Sequence, residues 1–310
     1  MQCELCDFGD LIRYRTYMVR NSRKSRPEWL KVKLPGGEEF FRLKALVREH
    51  RLNTVCEGAL CPNIAECWKA GTATFMILGD VCTRACKFCA VKTGLPPMLD
   101  CDEPRRIAEA IRKLNLKYAV VTSVDRDDLK DGGASIYAET IRLAREACPG
   151  IQIEVLIPDF RGKASALQVI VEERPDVLGH NVETVPRLFR LARAGSDYQI
   201  SLDLLRNAKS YGIPIATKSS LMLGLGEHEN EILQVIKDLK EADVDIVTFG
   251  QYLQPTRKNL DVKRYYSPEE FAKYERYAYS MGFRYVASGP LVRSSYHAER
   301  QASLLPVSEV

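Results

Sequence analysis

Residues 74–89 read Thr74-Phe75-Met76-Ile77-Leu78-Gly79-Asp80-Val81-Cys82-Thr83-Arg84-Ala85-Cys86-Lys87-Phe88-Cys89. The first half is an apolar run stopped by glycine, as in a buried strand, and the second is a C-x3-C-x2-C loop that opens where the strand stops. Downstream the same rhythm recurs: short runs rich in β-branched residues alternate with amphipathic stretches of helical period, the pattern of repeated βα units around a parallel sheet. The pattern predicts strands over Thr74–Gly79, Tyr118–Ser123, Ile151–Ile157, Asp176–Asn181, Pro214–Leu221, Asp245–Gln251 and Arg284–Ala287. It predicts helices over Glu103–Asn115, Ala134–Ala147, Lys163–Glu173, Pro186–Ala194, Glu229–Glu241 and Pro268–Met281. The expected fold is α/β, a barrel or an open partial barrel of about six βα units. Polar residues collect at the C-terminal ends of these strands, where such barrels carry their chemistry: Thr122, Ser123, Asn181, Glu183, Lys218, Ser219, Gln251 and Gln254.

With 310 residues, 45% hydrophobic and 28% charged, the chain can bury a sizeable core. Its net charge of +4 is too slight for an obligatory nucleic-acid platform. The first 55 or so residues read as irregular, with a basic run from Arg13 to Lys33 that reads first as a solvated arm. The opening MQCELCDFGD lacks a basic n-region and apolar h-region, and no run of about 18 apolar residues occurs, so neither a secretory signal nor a membrane span is expected. A cytoplasmic chain keeps its cysteines reduced, and dense cysteine spacing then reads as metal binding or catalysis.

The chain has ten cysteines, and six of them fall between Cys56 and Cys89. Three thiolates at Cys82, Cys86 and Cys89 can hold three irons of a four-iron cube and leave the fourth open to a small chelating ligand. Structural zinc would want a fourth ligand at finger-like spacing, whereas His50, His180, His228 and His297 are isolated and remote. The spacing therefore favours iron–sulfur over zinc. A second triplet, Cys56, Cys61 and Cys67, is C-x4-C-x5-C and likewise leaves one iron unclaimed by cysteine.

The downstream triplet, with Phe88 before its last cysteine, resembles the signature of the radical S-adenosylmethionine (SAM) superfamily. The two triplets in this order resemble the lipoyl synthase family. The likeness extends through Pro27-Glu28-Trp29-Leu30-Lys31, Asn53-Thr54-Val55-Cys56-Glu57, Thr122 to Leu129 with Asp131-Gly132-Gly133, His180 to Thr184, Lys218 to Glu227, Gln254-Pro255-Thr256 and Arg293-Ser294-Ser295-Tyr296. The resemblance implies a partial (βα)6 TIM-type barrel over 68–284, an N-terminal extension over 1–67 with the auxiliary-cluster cysteines, and a C-terminal segment over 285–310. It implies two 4Fe-4S clusters. One, on Cys82, Cys86 and Cys89, binds SAM and yields a 5′-deoxyadenosyl radical. The other, on Cys56, Cys61, Cys67 and Ser295, gives up sulfur at C6 and C8 of an octanoyl group on a lysine of a lipoyl carrier domain.

The implied partners are such a carrier (a 2-oxoacid dehydrogenase subunit or a glycine cleavage H protein), an electron donor such as ferredoxin or flavodoxin, and an iron–sulfur carrier that rebuilds the spent cluster. Strand-end position and family likeness assign backbone around Phe88 to adenine and Thr122 and Ser123 to the methionine portion. They assign Asn181, Glu183 and Lys218 to ribose and carboxylate, where lysine would act as a point charge. The arm, including Arg23, Lys24 and Arg26, is a candidate for docking an acidic carrier domain. Another radical-based sulfur inserter and a non-catalytic electron carrier are the competing readings, and the second would need neither two open clusters nor a barrel.

Gly224-Leu225-Gly226 reads as a tight turn, and Asp125, Asp127, Asp128 and Asp131 as a hydrogen-bonded acidic turn rather than a cation loop. Cys3, Cys6, Cys101 and Cys148 receive no role.

Overall fold

The computed structural model describes residues 27–32, 36–69 and 74–299. The basic arm up to Arg26, with Cys3 and Cys6, lies outside them. Ten strands occur: β1 Asn53–Thr54, β2 Thr74–Ile77, β3 Val81–Cys82, β4 Lys92–Thr93, β5 Tyr118–Ser123, β6 Gln152–Leu156, β7 Val177–Gly179, β8 Ala216–Leu223, β9 Ile246–Gln251 and β10 Tyr285–Gly289, counted among the described residues. Eight form one sheet in the order β1-β2-β5-β6-β7-β8-β9-β10, parallel from β2 to β10, while β3 pairs with β4 apart from it. Only β1, antiparallel to β2, departs from the parallel run. Helices Glu103–Leu114, Ala134–Ala147, Ala164–Glu172, Glu229–Glu241 and Pro268–Ser280 cross between consecutive parallel strands, so the α/β reading holds.

The helix Ala134–Ala147 buries Ile136, Tyr137, Thr140, Ile141 and Ala144, one face at helical spacing. Two helices depart from the sequence reading. Residues Glu38–Glu49, expected to be irregular, form a helix that buries Phe40, Leu43 and Val47 at i, i+3 and i+7; the charged residues between them mask that stripe in the sequence. The β7-to-β8 crossover holds a second helix, Tyr198–Ser210, beyond Pro186–Ala192, with the Asp197 side chain accepting from Gln199 N and Ile200 N at its start.

Strand alternation sends one set of side chains inside. Met76, Thr122, Leu156, Ser220, Met222 and Gly250 line a cavity at the C-terminal end of the strands. Two residues nearer the strand starts, the same faces carry Val120, Glu154, Val177 and Lys218, a closed floor. The chain after β10 returns to this interior: Ala298 is fully buried with Tyr118, Val120, Val177 and Ile246. Asn63 Nδ2 donates to Leu291 O at 2.7 Å and ties the returning segment to the loop between the upstream cysteines.

Gly250 is required by that return, because a Cβ there would stand 2.0 Å from Val292 O and 3.2 Å from Arg293 Nη1. Gly250→Ala is therefore expected to cost about 1–3 kcal/mol by overpacking. Urea denaturation checks this, and a midpoint equal to the wild type would show that the segment is not seated there.

Candidate active site

Cys82 ends β3, and Cys86 and Cys89 follow in the loop that leads to β4. All three line a cavity of about 310 Å³. Their loop is braced by backbone bonds, Thr83 N to Asp125 O at 3.0 Å and Gly94 N to Cys82 O at 3.0 Å. Asn259 Nδ2 donates to Cys89 O at 2.8 Å, fastening the loop to the β9 end.

The strongest brace is Arg84. Its guanidinium forks onto Asp127 at 2.8 and 2.9 Å and onto Asp159 at 2.9 and 2.7 Å. Burial alone would raise Asp159, but the hydrogen bonds and charge of Arg84 hold its carboxyl well below the usual range. Two more acidic residues of the stretch are similarly engaged: Asp128 accepts from Arg126 at 2.9 Å, and Asp131 accepts from Gly133 N and Ser135 N at 3.0 and 2.9 Å, whereas Asp125 Oδ1 is buried without a hydrogen-bond partner, 3.4 Å from Arg84 Nε. The hydrogen-bonded turn expected from the sequence forms at Asp127, Asp128 and Asp131. The turn at Gly224-Leu225-Gly226 is closed by the Glu227 carboxylate, which accepts from the N–H groups of Gly224 and Leu225.

Cys61 lines the same cavity, as does Ser295. Cys56 is buried behind Cys61, on the short helix Val55–Gly58, and Cys67 lies on Ile64–Lys69. Tyr296 Oη donates to Glu66 Oε1 at 3.0 Å and His297 Nε2 stands 3.3 Å from it, so the residues after Ser295 are tied beside Cys67. All eight described cysteines are free thiols. Burial pushes Cys56, Cys82 and Cys86 up to about 12, with Cys61 adding at Cys56 and with Asp125 and Cys89 adding at Cys86. Each therefore keeps its proton until a soft cation takes the thiolate. Among the described residues no three His, Cys, Asp or Glu side chains gather as ligands of a single ion. A cube takes each thiolate on a different iron.

Of the residues expected to contact SAM, Phe88, Thr122, Ser123, Asn181 and Glu183 line the cavity. Thr122 Oγ1 is already spent on Leu156 O at 2.9 Å. Ser123 Oγ and Asn181 Oδ1 are buried without a hydrogen-bond partner, which suits a polar ligand beside the cysteine loop. Glu183 sits at φ 67°, held by Glu183 N to Ser220 O at 3.0 Å and Met222 N to Glu183 O at 2.9 Å. The left-handed backbone turns its carboxyl to Asn181 Nδ2 at 3.0 Å, and burial raises its pKa.

Lys218 does not reach the cavity, and that expectation is corrected. It lies in the floor, 1% exposed, with Nζ 2.8 and 3.0 Å from the Glu154 carboxylate, which also accepts from Tyr118 Oη at 2.7 Å. Burial lowers its pKa against the pull of Glu154. Three arginines line the cavity, Arg84, Arg193 and Arg293; of these Arg193 donates to Asn181 O, and its charge opposes the upward push of burial on Cys86 and Glu183. Arg193 follows a helix rather than a strand, so alternation carried no signal for it. Arg84 and Arg293 also went unread, and Asp125, which lines the cavity, was read only as part of the acidic turn.

The model of the Radical SAM superfamily matches residues 76–239, and that of the N-terminal domain of lipoyl synthase matches residues 11–61. The chain is 54% identical over 283 residues to the lipoyl synthase of Flavobacterium johnsoniae, covering 91% of this chain and 98% of that relative. The chain belongs to the lipoyl synthase family. The mitochondrial lipoyl synthase of Nematostella vectensis is likewise 54% identical over 278 residues, 90% of this chain and 95% of that relative. Among solved structures, the FeFe-hydrogenase maturase HydG from Carboxydothermus hydrogenoformans superposes with a TM-score of 0.57 at 16% identity, covering 98% of this chain and 76% of that one. Methylornithine synthase gives 0.51 at 13% identity over 93% and 84% of the two chains. These two share the fold. As a lipoyl synthase the chain is a radical SAM enzyme, with SAM and iron–sulfur chemistry. No described helix is long and apolar enough to cross a membrane.

Proposed function

We propose that this lipoyl synthase inserts sulfur at C6 and C8 of an octanoyl group carried on a lysine of a lipoyl carrier domain, each insertion replacing a C–H bond by a C–S bond. Cys82, Cys86 and Cys89 would hold one four-iron cluster, and Cys56, Cys61, Cys67 and Ser295 would hold a second, the sulfur substrate of the reaction. With SAM bound, a cluster on Cys82, Cys86 and Cys89 would supply radical chemistry able to take hydrogen from carbon without acidity. The observation that supports this reading is that Cys61 and Ser295 line the same cavity as Cys82, Cys86 and Cys89, so a sulfur source and a radical source face one space.

Within that space Asn181 Oδ1, Glu183 and Ser123 Oγ bind the polar atoms of SAM, and Phe88 backs its adenine. Arg193 takes the carboxylate, the task Lys218 is too deep to perform. The apolar walls Val55, Leu60, Met76 and Leu253 exclude water and receive the alkyl chain. Ferredoxin or flavodoxin as electron donor, and an iron–sulfur carrier for rebuilding the spent cluster, belong to the same proposal.

Anaerobic reconstitution followed by SAM, reductant and an octanoyl-lysyl peptide tests it. The expected result is methionine, 5′-deoxyadenosine and a peptide heavier by two sulfurs; the first two products without the mass gain would overturn it. Ser295→Ala is expected to retain 5′-deoxyadenosine formation while lipoyl product falls about tenfold or more, the size of effect seen when a cluster's supporting ligation is disturbed. Unchanged lipoyl product in that variant would remove the serine from the ligand set.

A further inference from the structure

Beyond the cavity, the least buried large apolar side chains among the described residues are Leu95 and Met98, 91% and 94% exposed. They stand in the segment Gly94-Leu95-Pro96-Pro97-Met98-Leu99, directly after Thr93, which lines the cavity mouth. The segment is not loose. Gly94 N donates to Cys82 O at 3.0 Å, Pro97 O accepts from the buried Arg126 at 3.3 Å, and Leu99 packs on the main core. Two consecutive prolines hold their own φ near −65° and keep the turn from folding its apolar side chains inward. Single exposed apolar residues are ordinary, but two held outward three positions apart beside a substrate cavity mark an interaction site.

Basic side chains without an ion pair among the described residues also adjoin the cavity lining. Pro255 lines the cavity, and Arg257 and Lys258 follow it, both exposed and without an ion pair among the described residues. The bonds from Asn259 Nδ2 to Cys89 O and from Leu260 N to Lys87 O, at 2.8 and 3.0 Å, fasten this segment to the cysteine loop. Exposed Lys87 extends the basic rim.

We infer that Leu95 and Met98, with Arg257 and Lys258, form the seat of the carrier domain. This rests on the proposed function, since the occupant is the protein whose octanoyl-lysine enters the cavity. The chemistry it must present is an apolar patch beside the modified lysine, flanked by carboxylates. The leucine and methionine supply the desolvated centre of the contact, and the basic rim steers the encounter and sets its orientation. A free alkyl-lysine peptide would thread the cavity without touching either.

Reconstituted L95S/M98S and R257E/K258E enzymes are compared with wild type on two substrates, an octanoylated carrier domain and an octanoyl-lysyl peptide of about ten residues. On the domain, kcat/KM is expected to fall about tenfold or more in each variant, carried by KM. On the peptide it stays within about twofold. The wild-type KM for the domain rises with salt, and R257E/K258E loses that dependence. Equal losses on both substrates, or none on the domain, would overturn the inference. So would L95S/M98S abolishing self-association of the enzyme while the domain's KM is unchanged. The Kd of the octanoylated domain, measured by calorimetry on the same proteins, judges the surface even where wild type forms no sulfur product, an outcome that would sink the proposed reaction instead.

Discussion

Cys86→Ala is expected to reduce 5′-deoxyadenosine formation to background. A cube held by Cys82 and Cys89 alone would leave two irons without protein thiolate, and the loop offers no replacement thiolate, its other side chains being Thr83, Arg84, Ala85, Lys87 and Phe88. The upstream triplet is untouched by the change. If each triplet holds one cube, as proposed, iron content should fall from about eight per chain toward about four rather than to zero. Chromatographic quantitation of 5′-deoxyadenosine against SAM consumed checks the first outcome, and its persistence would contradict the assignment of the radical-generating triplet. Iron analysis checks the second, with loss of all iron showing that the two sites do not assemble independently.

The second large effect is expected at Arg84. Its side chain is 3% exposed and serves Asp159, at 1%, and Asp127, at 13%. Arg84→Met keeps the length of the side chain but leaves the Asp159 carboxylate buried without its cation, a change that costs about 3–5 kcal/mol in comparable buried pairs. Arg84→Lys restores charge but neither fork, so only partial recovery is expected. Urea denaturation at several pH values separates this from a packing defect. The folded-state pKa of Asp159 is depressed, so its contribution is present above the ordinary aspartate value of about 3.9 and is lost as pH falls through the depressed one. The deficit of Arg84→Met should thus be full near neutral pH and shrink in acid. A deficit independent of pH would mean that the guanidinium acts by filling space. Because the same residue lies between Cys82 and Cys86, slower cluster assembly in the variant is expected alongside.

The parts of the fold that the amino-acid order reveals are those set by local periodicity. Tyr118–Ser123, Ala134–Ala147 and Glu229–Glu241 stand where the pattern puts them, because a strand buried on both faces and a helix with one apolar face each leave a regular trace. Glu38–Glu49 was missed because only Phe40, Leu43 and Val47 of its residues are buried, a thin stripe among charges. At the site, strand-end position pointed to Asn181 and Glu183, which line the cavity, and to Lys218, which does not. Alternation tells which face a residue takes and says nothing of depth. Lys218 and Ser220 share a face, yet one lies in the floor with Glu154 and the other borders the cavity.

The sequence by itself determined the chemistry available: two cysteine triplets, each short enough to act as one ligand group, because thiolate spacing along a loop is a local property. It also determined the parallel α/β frame. Tertiary structure alone decided which of the polar residues meet that chemistry. Arg193 enters from a crossover, and Arg293 and Ser295 arrive from a segment more than two hundred positions beyond Cys61, seated through Gly250, Asn63 and Glu66. Such meetings depend on how the returning chain packs inside an open barrel. That packing is a sum of many long-range contacts, none of which leaves a period in the sequence to be read.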